Sequence, residues 1–220
     1  MITVHHLNNS RSQRVLWLLE ELNVPYQIKR YQREASMLAP PALKKVHPLG
    51  KSPVITDENR VVAESGAILE YLEARYDAEG LLKLFDEEEV IQSRYWLHYA
   101  EGSLMPLLVM KLIFSRMGKA PVPWLLRPIG SAFGQGVQKG YLDPQIATHR
   151  QFIEQHLAQN AWFAGSRFSI ADVQMSFPLQ ALTARGGAAD SPAIQAWLQK
   201  VQSRAAWQRA LQQGGEVRLD

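Results

Sequence analysis

Between residues 1 and 80 the apolar pattern switches repeatedly between a period of about 2 and a period of about 3.6, whereas beyond residue 85 it stays helical. Ile2, Val4 and His6 alternate with Thr3 and His5, as the residues of a strand do. After the polar turn Asn8 to Arg11, Val15, Leu18, Leu19 and Leu22 follow the i, i+3, i+4, i+7 spacing of an amphipathic helix, which Asn23 and Pro25 end. Tyr26 to Tyr31 returns to an extended pattern. A strand, a helix and a strand in so short a span make a right-handed βαβ unit with parallel strands.

Residues 34–50 read as a loop with a short helix near Ala42 to Val46. Val54 to Thr56 and Arg60 to Val62 form a hairpin about Asp57-Glu58-Asn59, and a helix runs from Glu64 through Tyr76. The order β-α-β followed by β-β-α is that of a thioredoxin-like domain. Gly80 to Phe85 reads as a linker, after which helical patterns cover roughly 86–117, 122–139, 143–159, 169–184, 191–201 and 203–213. The expectation is therefore α/β plus all-α, with a thioredoxin-like domain at 1–80 and an all-helical domain at 86–220. Pro106 falls inside a helical pattern and should kink it. Ser169-Ile170-Ala171-Asp172 reads as a capping box with Asp in the usual Glu place, flanked by Phe168 and Val173 as a hydrophobic staple.

Composition removes several classes of chemistry. The chain has no cysteine, which excludes disulfides, thiolate metal sites and a protein cysteine nucleophile, and fits a reducing, cytoplasmic setting. Lys+Arg number 24 against 21 Asp+Glu, and they are scattered, so no nucleic-acid stripe is indicated. The apolar run Leu104 to Phe114 is broken by Lys111 and is far short of the ~20 residues of a membrane span; no membrane partner is expected. His5 and His6, adjacent in a strand, point to opposite faces, and His149 and His156 have no matched partner, so no metal site is expected. Gly130, Gly134, Gly136 and Gly140 follow no strand and precede no Gly-Lys-Ser/Thr, so they read as helix packing or a helix-to-helix loop rather than a phosphate loop.

Three signals occur in a fixed order: Lys51-Ser52-Pro53-Val54, then Glu64-Ser65 opening a helix, then Ser169-Ile170-Ala171-Asp172 in the helical half. With the strand order, they make the whole chain resemble the cytosolic glutathione transferases. Asn9-Ser10-Arg11 followed by Arg14 to Leu19 is similar to the branch shared by bacterial and fungal enzymes. The resemblance implies glutathione as co-substrate and no metal. It implies that Pro53 is the family's cis-proline and that Ser52 and Val54 flank it in the binding turn, with the Val54 backbone pairing with the cysteinyl backbone of glutathione. Ser65, at a helix N-terminus that favours anions, would hold the γ-glutamyl carboxylate; Glu64 would accept from the γ-glutamyl ammonium, and Lys51 would sit near the glycyl carboxylate. The family's second basic group has no obvious counterpart at Met37-Leu38-Ala39, and Lys44 or Lys45 is the nearest substitute.

A free thiol has a pKa of ~8.5, so catalysis needs a donor aimed at sulfur. The family's tyrosine position holds His6-Leu7, which excludes a tyrosine enzyme. Ser10 is the first candidate, with Asn9, Ser12 and backbone N–H groups as alternatives and Arg11 adding positive potential. Tyr99, Met105, Leu108, Leu112 and Trp124 are the expected lining of an apolar pocket for a second substrate, a small electrophile or a hydroperoxide. The resemblance also implies a homodimer. A non-catalytic glutathione-binding regulator or assembly protein of the same fold is the alternative to an enzyme, and a scaffold that has lost glutathione is disfavoured by the Glu64-Ser65 pair.

Overall fold

The computed structural model describes residues 1–34, 36 and 38–219. Strands β1 (Ile2–Leu7), β2 (Tyr26–Tyr31), β3 (Val54–Asp57) and β4 (Arg60–Ala63) form one sheet in the order β2-β1-β3-β4. Strand β1 is parallel to β2 and antiparallel to β3, and β3 is antiparallel to β4. The crossover between β1 and β2 is helix α1 (Ser12–Glu21), and α2 (Ser65–Tyr76) follows β4, so the thioredoxin-like arrangement is present. A two-residue turn, with Glu58 at φ 52°, closes the β3–β4 hairpin. Buried Asp57 ties it to α2 by accepting from the hydroxyls of Tyr71 at 2.7 Å and Tyr76 at 2.5 Å.

The second half is helical: α3 (Glu87–Tyr99), α4 (Met105–Ser115), α5 (Arg127–Val137), α6 (Asp143–Gln159), α7 (Ile170–Gly186), α8 (Pro192–Gln202) and α9 (Ala205–Gly214). Pro106 does not simply kink a long helix. A π turn over Ala100–Leu104 joins α3 to α4 just before it, and a second π turn over Gln138–Leu142 stands just before Pro144. Proline has no N–H to donate and crowds the carbonyl four residues back; a widened turn relieves both, at the cost of one extra residue in the register. The capping box at Ser169 forms, with Asp172 Oδ2 accepting from the Ser169 N–H at 3.0 Å. Asp172 is fully buried, and its other oxygen accepts from the Phe163 N–H and the Trp197 indole. Burial raises this carboxyl to about 6 against the pull of those donors.

Glycines 130 and 134 pack α5 closely on the end of α4: a Cβ added there would lie 2.3 Å from the Met117 carbonyl oxygen and 2.4 Å from that of Phe114. Two histidines of the helical half are absorbed by their neighbours, His149 Nδ1 bonding the Tyr99 hydroxyl and His156 Nε2 the Phe163 carbonyl.

Helix α1 is more deeply buried than a one-faced pattern predicts, with every residue from Ser12 to Leu19 inside. The reason is α9, which folds back from the helical half onto α1. Trp207 meets Trp17 edge-on at 4.9 Å, Arg204 pairs with Glu21, and Arg209 pairs with Glu20. Trp17 also touches Phe168, so a single aromatic cluster joins the two halves. Removing so large a buried ring costs about 3–5 kcal/mol in proteins generally.

Candidate functional site

A cleft of about 960 Å³ opens between the two halves. One wall is the turn Lys51-Ser52-Pro53 and the start of α2, Glu64 to Ala67; the other is Leu97, His98, Glu101 and Gly102, with Val109 and Gln174 behind. The Ser52–Pro53 bond is cis. Val54 lines the cleft but is paired with His5 on one side and Ala63 on the other. The sheet has therefore already used its backbone, which corrects the expectation that Val54 receives an incoming strand. The open edge is one step earlier: the Ser52 backbone has no partner among the described residues, while its Oγ donates to the His5 carbonyl at 3.0 Å.

The N-terminus of α2 faces the same space. Glu64, at φ 71°, turns the chain sharply from β4 into the helix, an expense that a β-carbon-bearing residue carries only where its surroundings demand it. Ser65 follows. Its Oγ accepts from Arg14 Nη2 at 2.8 Å, so its own proton is left for an acceptor in the cleft.

Arg14 is a buried hub that sequence reading passed over. Besides Ser65, it donates to the Gln174 carbonyl on α7 at 2.8 Å and to Glu101 Oε1 at 2.7 Å. Burial lowers it to about 10, so it remains charged near neutrality. Arg11 donates to both oxygens of the same carboxylate, at 2.8 and 3.0 Å. Burial alone would raise Glu101, but the two guanidiniums hold it below its ordinary value. One carboxylate against two guanidiniums leaves a net positive corner where α1 begins. Gln174 adds a buried Oε1 without a partner among the described residues.

The first-choice thiol activator is not presented to the cleft as expected. Ser10 is buried, and its Oγ lies 2.7 Å from Ser12 Oγ, which in turn lies 2.8 Å from His6 Nδ1. The proton directions follow from the far end. His6 Nε2 is 2.9 Å from the Gly214 carbonyl, which can only accept, so Nε2 carries the hydrogen. Burial lowers the His6 pKa, outweighing that carbonyl, and a neutral ring leaves Nδ1 as the acceptor. Ser12 therefore donates to His6, and Ser10 donates to Ser12. The Ser10 proton is spent, and its oxygen further accepts the Ser12 N–H at 3.2 Å. Asn9 is arranged differently. Held at φ 50°, its Oδ1 accepts the Arg218 N–H at 2.9 Å, which leaves the amide NH2 as the end without a partner among the described residues.

The expected second-substrate lining is corrected as well. Tyr99, Met105 and Leu108 are core residues, Leu112 is half-buried outside the cleft, and Trp124 stands in solvent. Leu97, His98, Glu101, Gly102 and Val109 line the cleft instead, and the extra residue of the π turn at 100–104 shifts the register of the residues that follow it. Lys51 lines the cleft, joined by His47, which carried no signal in its pattern. Lys44 and Lys45 do not line it, and Met37 lies outside the described residues.

Known proteins match this arrangement along the chain. The family model described as glutathione S-transferase, N-terminal domain, matches residues 10–75, and the corresponding C-terminal domain matches 109–205. Glutathione S-transferase 3 of Schizosaccharomyces pombe is 41% identical over 81% of this chain and 73% of its own length. The chain belongs to the glutathione S-transferase family. Glutathione S-transferase 1 of Saccharomyces cerevisiae is 35% identical over 94% of this chain and 92% of its own. A solved glutathione S-transferase from Actinobacillus pleuropneumoniae superposes with a TM-score of 0.81 at 31% identity, covering 100% of this chain and 95% of that one. For a glutathione S-transferase, the turn at Pro53, the α2 N-terminus and the α1 N-terminus all border one cleft, and the helical half closes it.

Proposed function

We propose that the cleft binds glutathione and that the chain transfers its thiolate to small apolar electrophiles. The observation that carries this reading is the Ser52 backbone edge facing an α2 N-terminus whose Ser65 hydroxyl, fed by Arg14, has a proton to give. A tripeptide with an extended backbone and a carboxylate at each end fits that arrangement, with Ser65 on the γ-glutamyl carboxylate and Lys51 near the glycyl one. Glu64 and the unpartnered Gln174 Oε1 are acceptors for the γ-glutamyl ammonium.

Bound in that way, the cysteinyl sulfur comes to the start of α1. The helix dipole, the net positive Arg11–Arg14–Glu101 corner and the Asn9 amide then favour the thiolate. Asn9 replaces Ser10 as donor in this reading, and Ser10 becomes part of the support beneath it. The domain division falls at 1–80 and 86–220, with the first carrying glutathione and the second the acceptor wall. The fungal and bacterial relatives support placing the chain in the branch they share. Reduction of hydroperoxides by the same thiolate, a homodimer and a cytoplasmic location complete the reading.

The test is calorimetric titration with glutathione, followed by thiolate absorbance of the saturated protein as pH rises. A bound thiol ionising a unit or more below ~8.5 supports the enzyme. Binding without a shift supports the non-catalytic alternative, and no binding refutes both.

A further inference from the structure

Between Glu101 and Asp143 the chain carries five cations, Lys111, Arg116, Lys119, Arg127 and Lys139, and not one Asp or Glu. Only Lys111 is neutralised, by Asp143 at 2.8 Å; the other four make no ion pair among the described residues. The same stretch holds a concentration of exposed apolar side chains. Trp124, Leu125 and Leu126 on a 3₁₀ turn, Ile129 and Phe133 on α5, and Tyr141 beyond it are each between 52% and 72% exposed. They do not form a failed core. Gly130 and Gly134 press the opposite face of α5 onto the backbone of Phe114 and Met117, which turns Ile129 and Phe133 outward. Phe133 and Tyr141 border an apolar depression of about 380 Å³.

We propose that α5 and the turn before it form a peripheral docking surface for an anionic lipid bilayer. Large apolar groups beside unpaired cations, with no anion among them, are what an interface of acyl chains under negative headgroups accommodates. A tryptophan at the tip is suited to the headgroup level. No helix among the described residues is long and apolar enough to cross a membrane, so the chain would lie on the bilayer rather than span it. The expectation of no membrane partner rested on that missing span, which is a different requirement. A second copy of this chain laid on the same patch is the poorer occupant, since a two-fold axis through the patch brings like charges together. Val109, at the cleft, lies seven residues from Arg116 along one helix and its end, about 10 Å at 1.5 Å per residue. A bilayer on this surface would thus hold lipid-dissolved molecules close to the cleft, although docking itself does not depend on the cleft's chemistry.

The experiment is sedimentation of the full chain with phosphatidylglycerol vesicles and with phosphatidylcholine vesicles, at low and high salt. Five of the six tryptophans are buried, so Trp124 also serves as a built-in reporter. The expected result is binding to the anionic vesicles that salt weakens, with a blue shift of tryptophan emission that Trp124→Phe abolishes. Replacing Arg116, Lys119 and Arg127 by Gln should weaken binding about fivefold for each cation removed. Phe133→Ser with Ile129→Ser should abolish it while leaving the circular dichroism and glutathione binding unchanged. No vesicle binding, equal binding to both lipids, or a Phe133→Ser variant that changes only the oligomeric state in light scattering would overturn the proposal, the last by assigning the surface to a second copy.

Discussion

Replacing Ser10 with Ala separates support from activation. In the structure the Ser10 oxygen accepts the Ser12 N–H at 3.2 Å and its proton goes to Ser12 Oγ at 2.7 Å, all in a buried setting. Its loss strands one buried N–H, at about 1–3 kcal/mol, and removes one ordinary hydrogen bond. At about 2–4 °C per kcal/mol for a chain of this size, the melting temperature should fall by several degrees, and the pKa of bound glutathione should not move. Asn9→Gly should behave in the opposite way. Glycine adopts φ 50° without strain, so stability changes little. The thiolate meanwhile loses a charge-assisted bond of about 1.5–3 kcal/mol, which is a rise of about 1–2 pKa units. Thiolate absorbance against pH, measured on both variants saturated with glutathione, reads the two effects directly. A Ser10→Ala protein whose bound thiol rises by a unit, beside an Asn9→Gly protein whose thiol does not, would refute the proton directions derived from His6 and return the donor role to Ser10.

Ser65→Ala should weaken glutathione binding by about tenfold or more in calorimetry, since it removes a bond to a charged carboxylate, and should leave the bound thiol pKa in place. Glu101→Gln should raise the affinity for anions in the cleft, because Arg11 and Arg14 lose their shared countercharge, and should lower stability through the buried Arg14; binding of S-methylglutathione and a thermal melt read the two effects. Asp172→Asn should destabilise strongly, and the difference from the parent should depend on pH. The folded pKa of about 6 lies above the unfolded value of 3.8, so the carboxyl's contribution is complete below pH ~4 and fades as pH climbs through 6. Two units correspond to about 3 kcal/mol, so denaturant titrations at pH 4 and pH 7 should show the gap between parent and variant shrinking by about that much.

What could be read from the sequence followed from how local each feature is. The strand alternation of Ile2 to His6, the stop at Asn23-Val24-Pro25 and the box at Ser169 and Asp172 all act over a few residues, and each stands in the structure where its pattern put it. The turn and helix start that line the cleft were legible for the same reason, because Lys51 to Pro53 and Glu64-Ser65 are contiguous. The opposite wall was not legible. A π turn has no strong sequence signature of its own, and the one residue it inserts at 100–104 turns everything after it by about 100° relative to a regular helix, so the phase of Met105, Leu108 and Val109 was not readable from the pattern before it. Arg14 was hidden by its neighbours: among Val15 to Leu19 a lone arginine reads as the polar edge of a helix, and only Glu101 and Gln174, distant in sequence, make it a hub. Nor could residue types alone show that the Ser10 proton is spent, since that depends on which way a carbonyl at Gly214 fixes an imidazole.

That carbonyl lies 208 residues along the chain from the ring it orients. During synthesis, therefore, the sheet, α1 and the whole glutathione wall leave the ribosome long before the group that sets the tautomer beneath them exists. Until α9 arrives, Trp17 has no Trp207 over it, Glu20 and Glu21 have no arginines, and His6 is free to carry its hydrogen on either nitrogen. The amino-terminal half on its own thus lacks the contacts that cover α1 and orient His6, and gains them only when α9 packs onto it.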